Sequence, residues 1–351
     1  MRKNFKRLII ICMSAVFIVT GCGKKAETQE PVSTEAGAEA QEVETSQDEG
    51  SDGSDVVTLN IAYQYGLAYA PVILVQKQGL IEKAYEEATG KQVHVVWNQM
   101  SSGADINTGI SSGGLEVGFM GVAPAITGIT KGVGYKIFTN LSGQEHGLMS
   151  NDKEISSFDD LIGSEHQIAL VNMGSIQHII LAMALENAGY DPHALDSNIV
   201  AMKHPDGMAA LETGNVSCHL TSSPYIFKEQ EEENLYEIKG VSEAWSVDDS
   251  FIVGVASEKL YDGNQELYQA LCKAIEEAID SMNEDLEEAA KVTCEFNGNS
   301  EEEEAAYMQK GKYTTKTSRI FELAEFMERA GFIDQAPESY KELVYDNVSG
   351  D

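Results

Sequence analysis

Small and polar residues are concentrated in five short turns of the chain. These turns are residues 64–69, 99–103, 121–123, 172–175 and 221–223. Small residues let a ligand approach the backbone, hydroxyls and amides supply oriented hydrogen bonds, and Tyr65 and Tyr69 can wall an apolar part of a ligand. The chemistry that this combination favours is the capture of a small solute.

The candidate ligand-binding residues lie in or near these turns. They are Tyr65, Tyr69, Ser101, Ser102, Gly103, Gly121, Ala123, Gly174, Ser175, Gln177, His178, Ser222, Ser223 and Trp245. Two interpretations stay open for several of them, because Ser175 and Ser222 are equally typical of helix N-caps and the glycines of tight turns. His178 either reaches the ligand or packs beneath it.

The chemical nature of the ligand also stays open. Almost none of the turns contains a charged residue, the exceptions being Lys203 with its neighbours His204 and Asp206. A bound anion would then rely on helix N-termini and hydroxyls. A neutral heterocycle would instead stack on Tyr65 or Trp245.

Catalytic motifs are missing from the sequence. It contains no GxxxxGK[ST] loop, no HExxH and no GxSxG, and its seven histidines are dispersed without metal-ligand spacing. Cys218 and His219 are adjacent in a predicted strand, so their side chains point to opposite faces and cannot act as nucleophile and base. We therefore expect a binding protein without enzymatic activity, cofactor or metal.

The turns are positioned by alternating strand and helix patterns. Predicted strands cover residues 57–63, 92–97, 115–120, 135–141, 167–171, 198–202, 216–220 and 250–257, and predicted helices cover 71–79, 124–132, 175–189 and 205–214. This alternation predicts two α/β lobes with mostly parallel sheets, followed by a C-terminal helical layer. The acidic run 301–304 is expected to be a solvated helix start.

Composition limits the classes of partner. The chain has 351 residues, with 24 Lys and Arg against 57 Asp and Glu, a formal net charge of −33. This excess of negative charge repels phosphate backbones, so nucleic-acid binding is excluded. The three cysteines after Cys22 have wide spacings, which predict neither a disulfide framework nor a CxxC metal site.

The N-terminus is typical of a secreted lipoprotein. Basic residues precede an apolar stretch at 8–19 that is too short to span a bilayer, and residues 19–22, Val-Thr-Gly-Cys, resemble a lipobox. We expect a signal peptide at 1–21, lipidation of Cys22, and a disordered acidic tether over 22–55. The protein would then be extracytoplasmic and held to the cell membrane only by this lipid.

Four segments resemble the ABC-transporter substrate-binding proteins of the nitrate, sulfonate and taurine group. They are residues 70–74, 113–121, 157–163 and 174–178, the last two resembling that group's "DLxGK" turn and "GSxxH" helix start. The turn departs from the motif at its last position, where Ser164 replaces the lysine. The resemblance implies a type II periplasmic-binding fold, in which two lobes joined by two crossing strands clamp a ligand. The lobe boundaries that it implies are 56–143 and 250–351 for the first lobe and 144–249 for the second, with hinge crossings at 142–147 and 247–251.

The resemblance also implies the partners. The chain would be a monomer that delivers a small organic solute, a sulfonate, taurine-like or nitrate-like anion, to an ABC permease with its ATPase. The same fold is used by binders of pyrimidine and thiamine precursors, which is the alternative ligand class. A pyrimidine-synthesis enzyme, or a module that presents the loaded state to a membrane sensor, are further alternatives.

Overall fold

The computed structural model describes residues 56–351. The expected signal peptide, the tether and the lipidation site Cys22 lie outside the described residues. Among the described helices, none combines the length and the apolar character needed to cross a membrane.

Eleven strands and fourteen α-helices form within residues 56–351. The strands are β1 (Val57–Tyr63), β2 (Val93–Gln99), β3 (Val117–Gly121), β4 (Tyr135–Gly143), β5 (His146–Ser150), β6 (Ile168–Leu170), β7 (Ile199–Ala201), β8 (Cys218–Ser222), β9 (Tyr236–Ile238), β10 (Ile252–Ser257) and β11 (Lys312–Tyr313). All eight predicted strands are present, with ends shifted by at most a few residues. The sequence patterns missed β5, β9 and β11.

The helices fill the connections between strands and the C-terminal part of the chain. They are α1 (Ala70–Gln78), α2 (Leu80–Thr89), α3 (Gly103–Ser111), α4 (Val122–Thr130), α5 (Phe158–Leu161), α6 (Ile176–Asn187), α7 (His204–Glu212), α8 (Tyr225–Glu231), α9 (Glu258–Gly263), α10 (Gln265–Glu284), α11 (Leu286–Asn297), α12 (Glu301–Met308), α13 (Ile320–Arg329) and α14 (Tyr340–Leu343). The four predicted helices correspond to α1, α4, α6 and α7.

The strands form two sheets. The first sheet has the order β11-β4-β10-β3-β1-β2 and the second the order β7-β6-β8-β5-β9. We call each sheet with its helices a lobe, the first lobe containing the first sheet. The fully buried apolar residues, such as Leu59, Phe119 and Phe138 in the first lobe, form the core beneath these sheets.

The expectation of mostly parallel sheets is corrected by the strand pairing. Strands β1, β2 and β3 pair in parallel, as do β6, β7 and β8, but β10 runs antiparallel to β3 and β4, and β5 runs antiparallel to β8 and β9. Both β5 and β10 enter their sheet directly from the other lobe. A strand that arrives this way starts at the edge where the neighbouring strands end, so it runs against them.

Two segments connect the lobes. The chain passes from β4 to β5 through Gln144 and Glu145, and it returns between β9 and β10. The two segments are in close contact, because a Cβ added at Gly143 would overlap the carbonyl oxygens of Val247 and Asp249. Only a glycine fits at this contact, which lies in the region where hinge crossings are expected.

The C-terminal layer also reaches the second lobe. Tyr307 of α12 stacks on Phe227 of α8 with ring centroids 5.0 Å apart. After α13, the carbonyl of Ala330 lies 2.7 Å from Nε2 of His193. The layer therefore bridges both lobes.

The acidic run at the start of α12 is only partly solvated. Glu304 is fully buried, and its carboxylate accepts hydrogen bonds from Thr293, Asn297 and Asn299 at 2.8, 2.8 and 2.6 Å. The expectation of a solvated run is therefore wrong for this residue. Because four consecutive helical residues cover all sides of a helix, one of them faces the neighbouring helix α11.

Candidate functional site

A cavity lies between the two lobes at the carboxyl ends of their parallel strands. Its enclosed volume is about 30 Å³, so the two lobes lie close together around it. Its walls are formed by Gln64, Tyr65, Ala68, Tyr69, Ser101, Gly103, Gly121, Pro124, Val171, Ser175, Ile176, Gln177, Lys203, His204, Ser222, Phe251 and Ile252. Eight of the fourteen predicted residues are among them.

The turn after β1 supplies the aromatic wall. Tyr65 and Tyr69 both face the cavity, and Nε2 of Gln64 donates a hydrogen bond to the hydroxyl of Tyr69 at 2.9 Å. Burial raises the pKa of Tyr69 above its ordinary value, so this hydroxyl stays protonated. It can therefore donate a hydrogen bond to a ligand.

The start of α3 contributes Ser101 and Gly103 to the wall. A Cβ added at Gly103 would lie 2.6 Å from Cγ of Pro124, so a larger residue cannot fit there. Ser102 lies between these two but does not face the cavity. Its hydroxyl caps α3 by accepting from the backbone N–H of Asp105 at 3.2 Å and donates to the Asp105 carboxylate at 2.8 Å.

The end of β3 places the two lobes in contact. Gly121 lines the cavity, and a Cβ at this position would lie 2.8 Å from Cγ2 of Ile176 in the second lobe. Ala123, two residues on, is fully buried in the first lobe and does not reach the cavity. As the second residue of α4, Ala123 points into the first lobe and not toward the cavity.

The N-terminus of α6 faces the cavity from the second lobe. Ser175 caps this helix through its hydroxyl, which accepts from the backbone N–H of His178 at 3.3 Å, and it also lines the cavity with Gln177. A twelve-residue helix whose N-terminus faces a cavity directs unpaired N–H groups and a partial positive charge toward the cavity. Such an end favours an anionic or hydrogen-bond-accepting group.

His178 packs beneath the cavity. Its Nδ1 accepts from the backbone N–H of Gly174 at 2.9 Å, its Nε2 donates to Asp196 at 2.9 Å, and its ring meets Phe332 edge-on. Burial lowers the pKa of His178 in spite of Asp196. Both ring nitrogens are occupied, so His178 does not line the cavity. Gly174 also lies outside it, because its φ of 79° serves the turn before α6.

Ser223 lies against the first connection between the lobes, and Trp245 lies in the second. Ser223 donates to the carbonyl of Glu145, and its own carbonyl accepts from Leu67 at 3.1 Å. Trp245 is 1% exposed, donates through Nε1 to the carbonyl of Ser250 at 3.2 Å, and lies under the guanidinium of Arg319. Both side chains form contacts within the protein, and neither is part of the cavity wall.

Sequence reasoning left several wall residues out of the candidate set, of which Lys203 and His204 matter most. Lys203 is the N-cap of α7, and His204 is its first residue. The sequence signal that could have found them is Pro205, which marks the first turn of a helix directly after a strand. The Nζ atom of Lys203 lies 5.4 Å above the centroid of Tyr65 and 3.7 Å from Asp206. Among the wall residues of the described chain, Lys203 alone has a permanent charge.

His204 presents one edge of its imidazole to the cavity. Nε2 lies 2.9 Å from Nε2 of Gln177 and 3.4 Å from Oγ of Ser222. The residue is 4% exposed, and burial followed by the neighbouring His219 lowers the pKa of His204 to about 3. His204 is therefore neutral at physiological pH, and one of its two ring nitrogens carries a proton.

The arrangement is suited to binding. The walls offer hydroxyls, amides, a neutral imidazole, one ammonium group and two tyrosine rings. Within residues 56–351 no three His, Cys, Asp or Glu residues are grouped so that they can hold a metal ion. Cys218 is fully buried, and burial raises the pKa of its thiol to about 12, so the thiolate is scarce.

Several known proteins of similar sequence or fold are binding proteins. The chain is 25% identical over 175 residues to the taurine-binding periplasmic protein of Escherichia coli strain K12, a match that spans 49% of this chain and about half (50%) of that relative. Its fold is similar to that of the alkanesulfonate-binding protein SsuA from Xanthomonas axonopodis pv. citri bound to MOPS, with a TM-score of 0.67, 14% identity and coverage of 85% of this chain and 100% of that one.

A second solved structure gives the same result. The periplasmic aliphatic sulphonate binding protein SsuA of Escherichia coli is 17% identical, with a TM-score of 0.62 over 83% of this chain and 93% of that one. The expected periplasmic-binding fold is thereby confirmed. The model of the NMT1-like family matches residues 52–296, which is more than half of the sequence. The chain belongs to the NMT1-like family.

Proposed function

We propose that this protein is the extracytoplasmic solute-binding component of an ABC importer, and that it captures a small organic anion of the sulfonate type between its lobes. The observation that carries the proposal is the charge of the cavity. In a chain with a net charge of −33, the cavity wall contains one lysine and no carboxylate. A wall of this kind is suited to an anion, because an unpaired carboxylate there would repel it.

Each lobe supplies part of the proposed anion site. The N-terminus of α6 with Ser175 and the ammonium group of Lys203 lie on the second lobe, and Tyr69 offers its hydroxyl from the first. The aromatic wall at Tyr65 suits the organic part of a sulfonate, as the relatives' names also suggest. A ligand that contacts both lobes stabilises their closed arrangement.

Closure would take place about the two connections between the lobes. The pairing of Gly143 with residues 247–249 gives these connections a common contact point. A membrane permease with its ATPase would then read the closed surface, as the resemblance to the importer components implies. Anchoring by a lipid on Cys22, with the remainder of the chain a monomer outside the cytoplasmic membrane, belongs to the same proposal.

The test is the affinity of the purified chain for a panel of solutes. We expect ethanesulfonate or taurine to bind, with nitrate as a smaller anion and hydroxymethylpyrimidine as a neutral planar compound for comparison. Two charges about 4 Å apart near a protein surface interact by about 4 kcal/mol. Because Lys203 is half-exposed and shares its charge with Asp206, we reduce this to about 1–2 kcal/mol, so Lys203→Gln weakens anion binding roughly 5- to 30-fold.

Lys91→Gln is the matched control. Lys91 is exposed and is not part of the cavity wall, so this substitution removes the same charge away from the site. Equal affinities of both variants for every anion in the panel would contradict an anion site at Lys203. The alternative, a pyrimidine precursor, is favoured by Tyr65 and Tyr69 in the wall. Binding of hydroxymethylpyrimidine that is unaffected by Lys203→Gln would establish that alternative instead.

A further inference from the structure

A chain of buried titratable side chains runs from the interior of the second lobe to the cavity. Glu229 on α8 and His219 on β8 are both fully buried, and Oε1 of Glu229 lies 2.6 Å from Nδ1 of His219. Nε2 of His219 lies 3.4 Å from Nδ1 of His204. The far nitrogen of His204, Nε2, is the one that faces the cavity beside Gln177 and Ser222.

The side chains of Glu229, His219 and His204 are closely packed. A Cβ added at Gly207, one turn after His204 on α7, would lie 2.6 Å from Nε2 of His219, so the glycine leaves space for the histidine ring. The ring of Tyr225 stacks on His204 with centroids 5.7 Å apart. These contacts hold the ring of His219 against α7 and the ring of His204 against Tyr225.

The surroundings of Glu229 determine the direction of the hydrogen bonds. Its second oxygen, Oε2, is buried and has no hydrogen-bond partner. Oε2 could carry the proton, share the negative charge of an ionised carboxylate, or be the carbonyl oxygen of a neutral carboxyl group. The first two states would bury an unsatisfied donor or charge, so the third costs the least free energy. The carboxyl group is therefore neutral, with its proton on Oε1, and it donates this proton to Nδ1 of His219.

The burial of both groups agrees with this assignment. Burial, followed by the charge of Glu212 on α7, raises the pKa of Glu229 to about 9. Burial also lowers the pKa of His219 to about 3. The other ionisable groups near these three side chains are Tyr225 and, beside the cavity, Tyr65 and Lys203 with Asp206. At neutral pH all three members of the chain are uncharged.

One donor then forces the next. Because Nδ1 of His219 accepts from Glu229, its proton is on Nε2 and is donated to Nδ1 of His204. The proton of His204 is in turn on Nε2, the atom at the cavity wall. Gln177 presents its Nε2 to this atom, so the assignment requires the Gln177 amide to be turned, with Oε1 accepting from His204. An anion in the cavity can accept in the same position.

We propose that Glu229 and His219 are positioning residues of the binding site, which fix His204 as a neutral N–H donor toward the cavity and so select a ligand with a hydrogen-bond-accepting anionic group. This inference rests on the proposed function for the ligand and on the buried chain for the direction of the donor. It gives Glu229, about two side chains away from the cavity, a role in specificity.

The first experiment measures the affinity for ethanesulfonate between pH 7 and pH 9.8, below the ordinary pKa of lysine at about 10.4. Ionised Glu229 accepts a hydrogen bond from Nδ1 of His219, so Nε2 of His219 becomes an acceptor for Nδ1 of His204. Both hydrogen bonds are then reversed, and Nε2 of His204 becomes an acceptor. We expect affinity to fall about tenfold as the pH rises and Glu229, whose pKa is raised by burial, loses its proton. In Glu229→Gln the amide keeps donating without titrating, so affinity stays flat over this range.

The matched control is Glu232→Gln, which removes the same charge from an exposed position three residues on. It should keep the pH profile of the wild type. A fall of equal size in Glu229→Gln, or a flat wild-type profile, overturns the proposal. Loss of binding from a merely structural role would shift the affinity at every pH and leave the shape of the profile unchanged.

The second experiment needs no ligand and no folding-sensitive variant. The ring ¹⁵N resonances of His204 and His219 in the full-length wild-type chain at pH 7 report which nitrogen carries the proton. Protons on Nε2 of both rings support the proposed hydrogen-bond direction from Glu229 to His204. If ethanesulfonate then fails to bind, only the proposed function is contradicted. A proton on Nδ1 of His204 overturns the proposal, whichever ligand the protein binds.

Discussion

The buried carboxylate of Glu304 permits a sharp test of how the C-terminal layer is stabilised. Four glutamates begin α12, and they have the same residue type and nearly the same sequence position. Glu302 is exposed, whereas Glu304 accepts three side-chain hydrogen bonds inside the contact between α11 and α12. We predict that replacing Glu304 with alanine destabilises the protein strongly and that replacing Glu302 does not.

The magnitude follows from the donors that lose their acceptor. Thr293 and Asn297 are buried, and each unsatisfied buried donor costs about 1–3 kcal/mol, while the half-buried Asn299 can turn to water. The sum is about 2–6 kcal/mol, and we take about 4 kcal/mol as the expected loss for Glu304→Ala. Urea unfolding measures it as a lower midpoint with an unchanged slope.

The conservative variant separates the hydrogen bonds from the charge. In Glu304→Gln the amide oxygen can keep the bonds from Thr293 and Asn297. The new NH₂ group meets Asn299, whose own Oδ1 is buried without a partner and can accept after the Asn299 amide turns. We expect less than half of the alanine loss. Equal midpoints for Glu304→Ala and Glu302→Ala would refute the network as a source of stability.

Two further predictions concern the contacts between the lobes. Gly143→Ala should distort the crossing and weaken ethanesulfonate binding, since the new methyl group overlaps the carbonyl of Val247, whereas Gly263→Ala, with open space around it, should bind normally in the same titration. The carbonyl of Ala330, chiefly, raises the pKa of His193, so the stability that His193 adds is full below about pH 6.5 and is lost as the pH rises through its folded-state pKa. The melting-temperature difference between wild type and His193→Gln should therefore be larger at pH 5.5 than at pH 8.5, and a difference that grows with pH would contradict this.

The local features of the fold were predictable because they depend on short-range patterns. Apolar β-branched runs marked the strands, and Pro and Gly marked the helix ends, so the eight expected strands and four expected helices all formed. The three missed strands are short or lack such runs. Strand β5, His-Gly-Leu-Met-Ser, has no β-branched residue and forms only because β8 and β9 pair with it on either side.

The candidate site was predictable only to the level of the turn. Ser102 and Ser175 both follow a strand and both cap a helix, yet Ser175 lines the cavity and Ser102 does not. The difference depends on how each helix is tilted against the opposite lobe, which is a tertiary property. Phe251 and Ile252 were missed for the same reason, because nothing local marks the return crossing as a cavity wall.

The proposed site also explains how a strongly acidic chain can bind an anion. The field of the 57 acidic residues is screened over about 8 Å at physiological ionic strength, so a solute meets it mainly near the surface. Inside the cavity the balance is set by groups in direct contact, namely the α6 N-terminus, hydroxyls, the imidazole of His204 and the single ammonium of Lys203. Neutral donors of this kind are not screened by salt as exposed charges are, and they attract no competing cloud of counterions. A cavity that relies mainly on fixed N–H and O–H donors therefore keeps its preference for an acceptor-rich anion independently of the charge on the rest of the molecule.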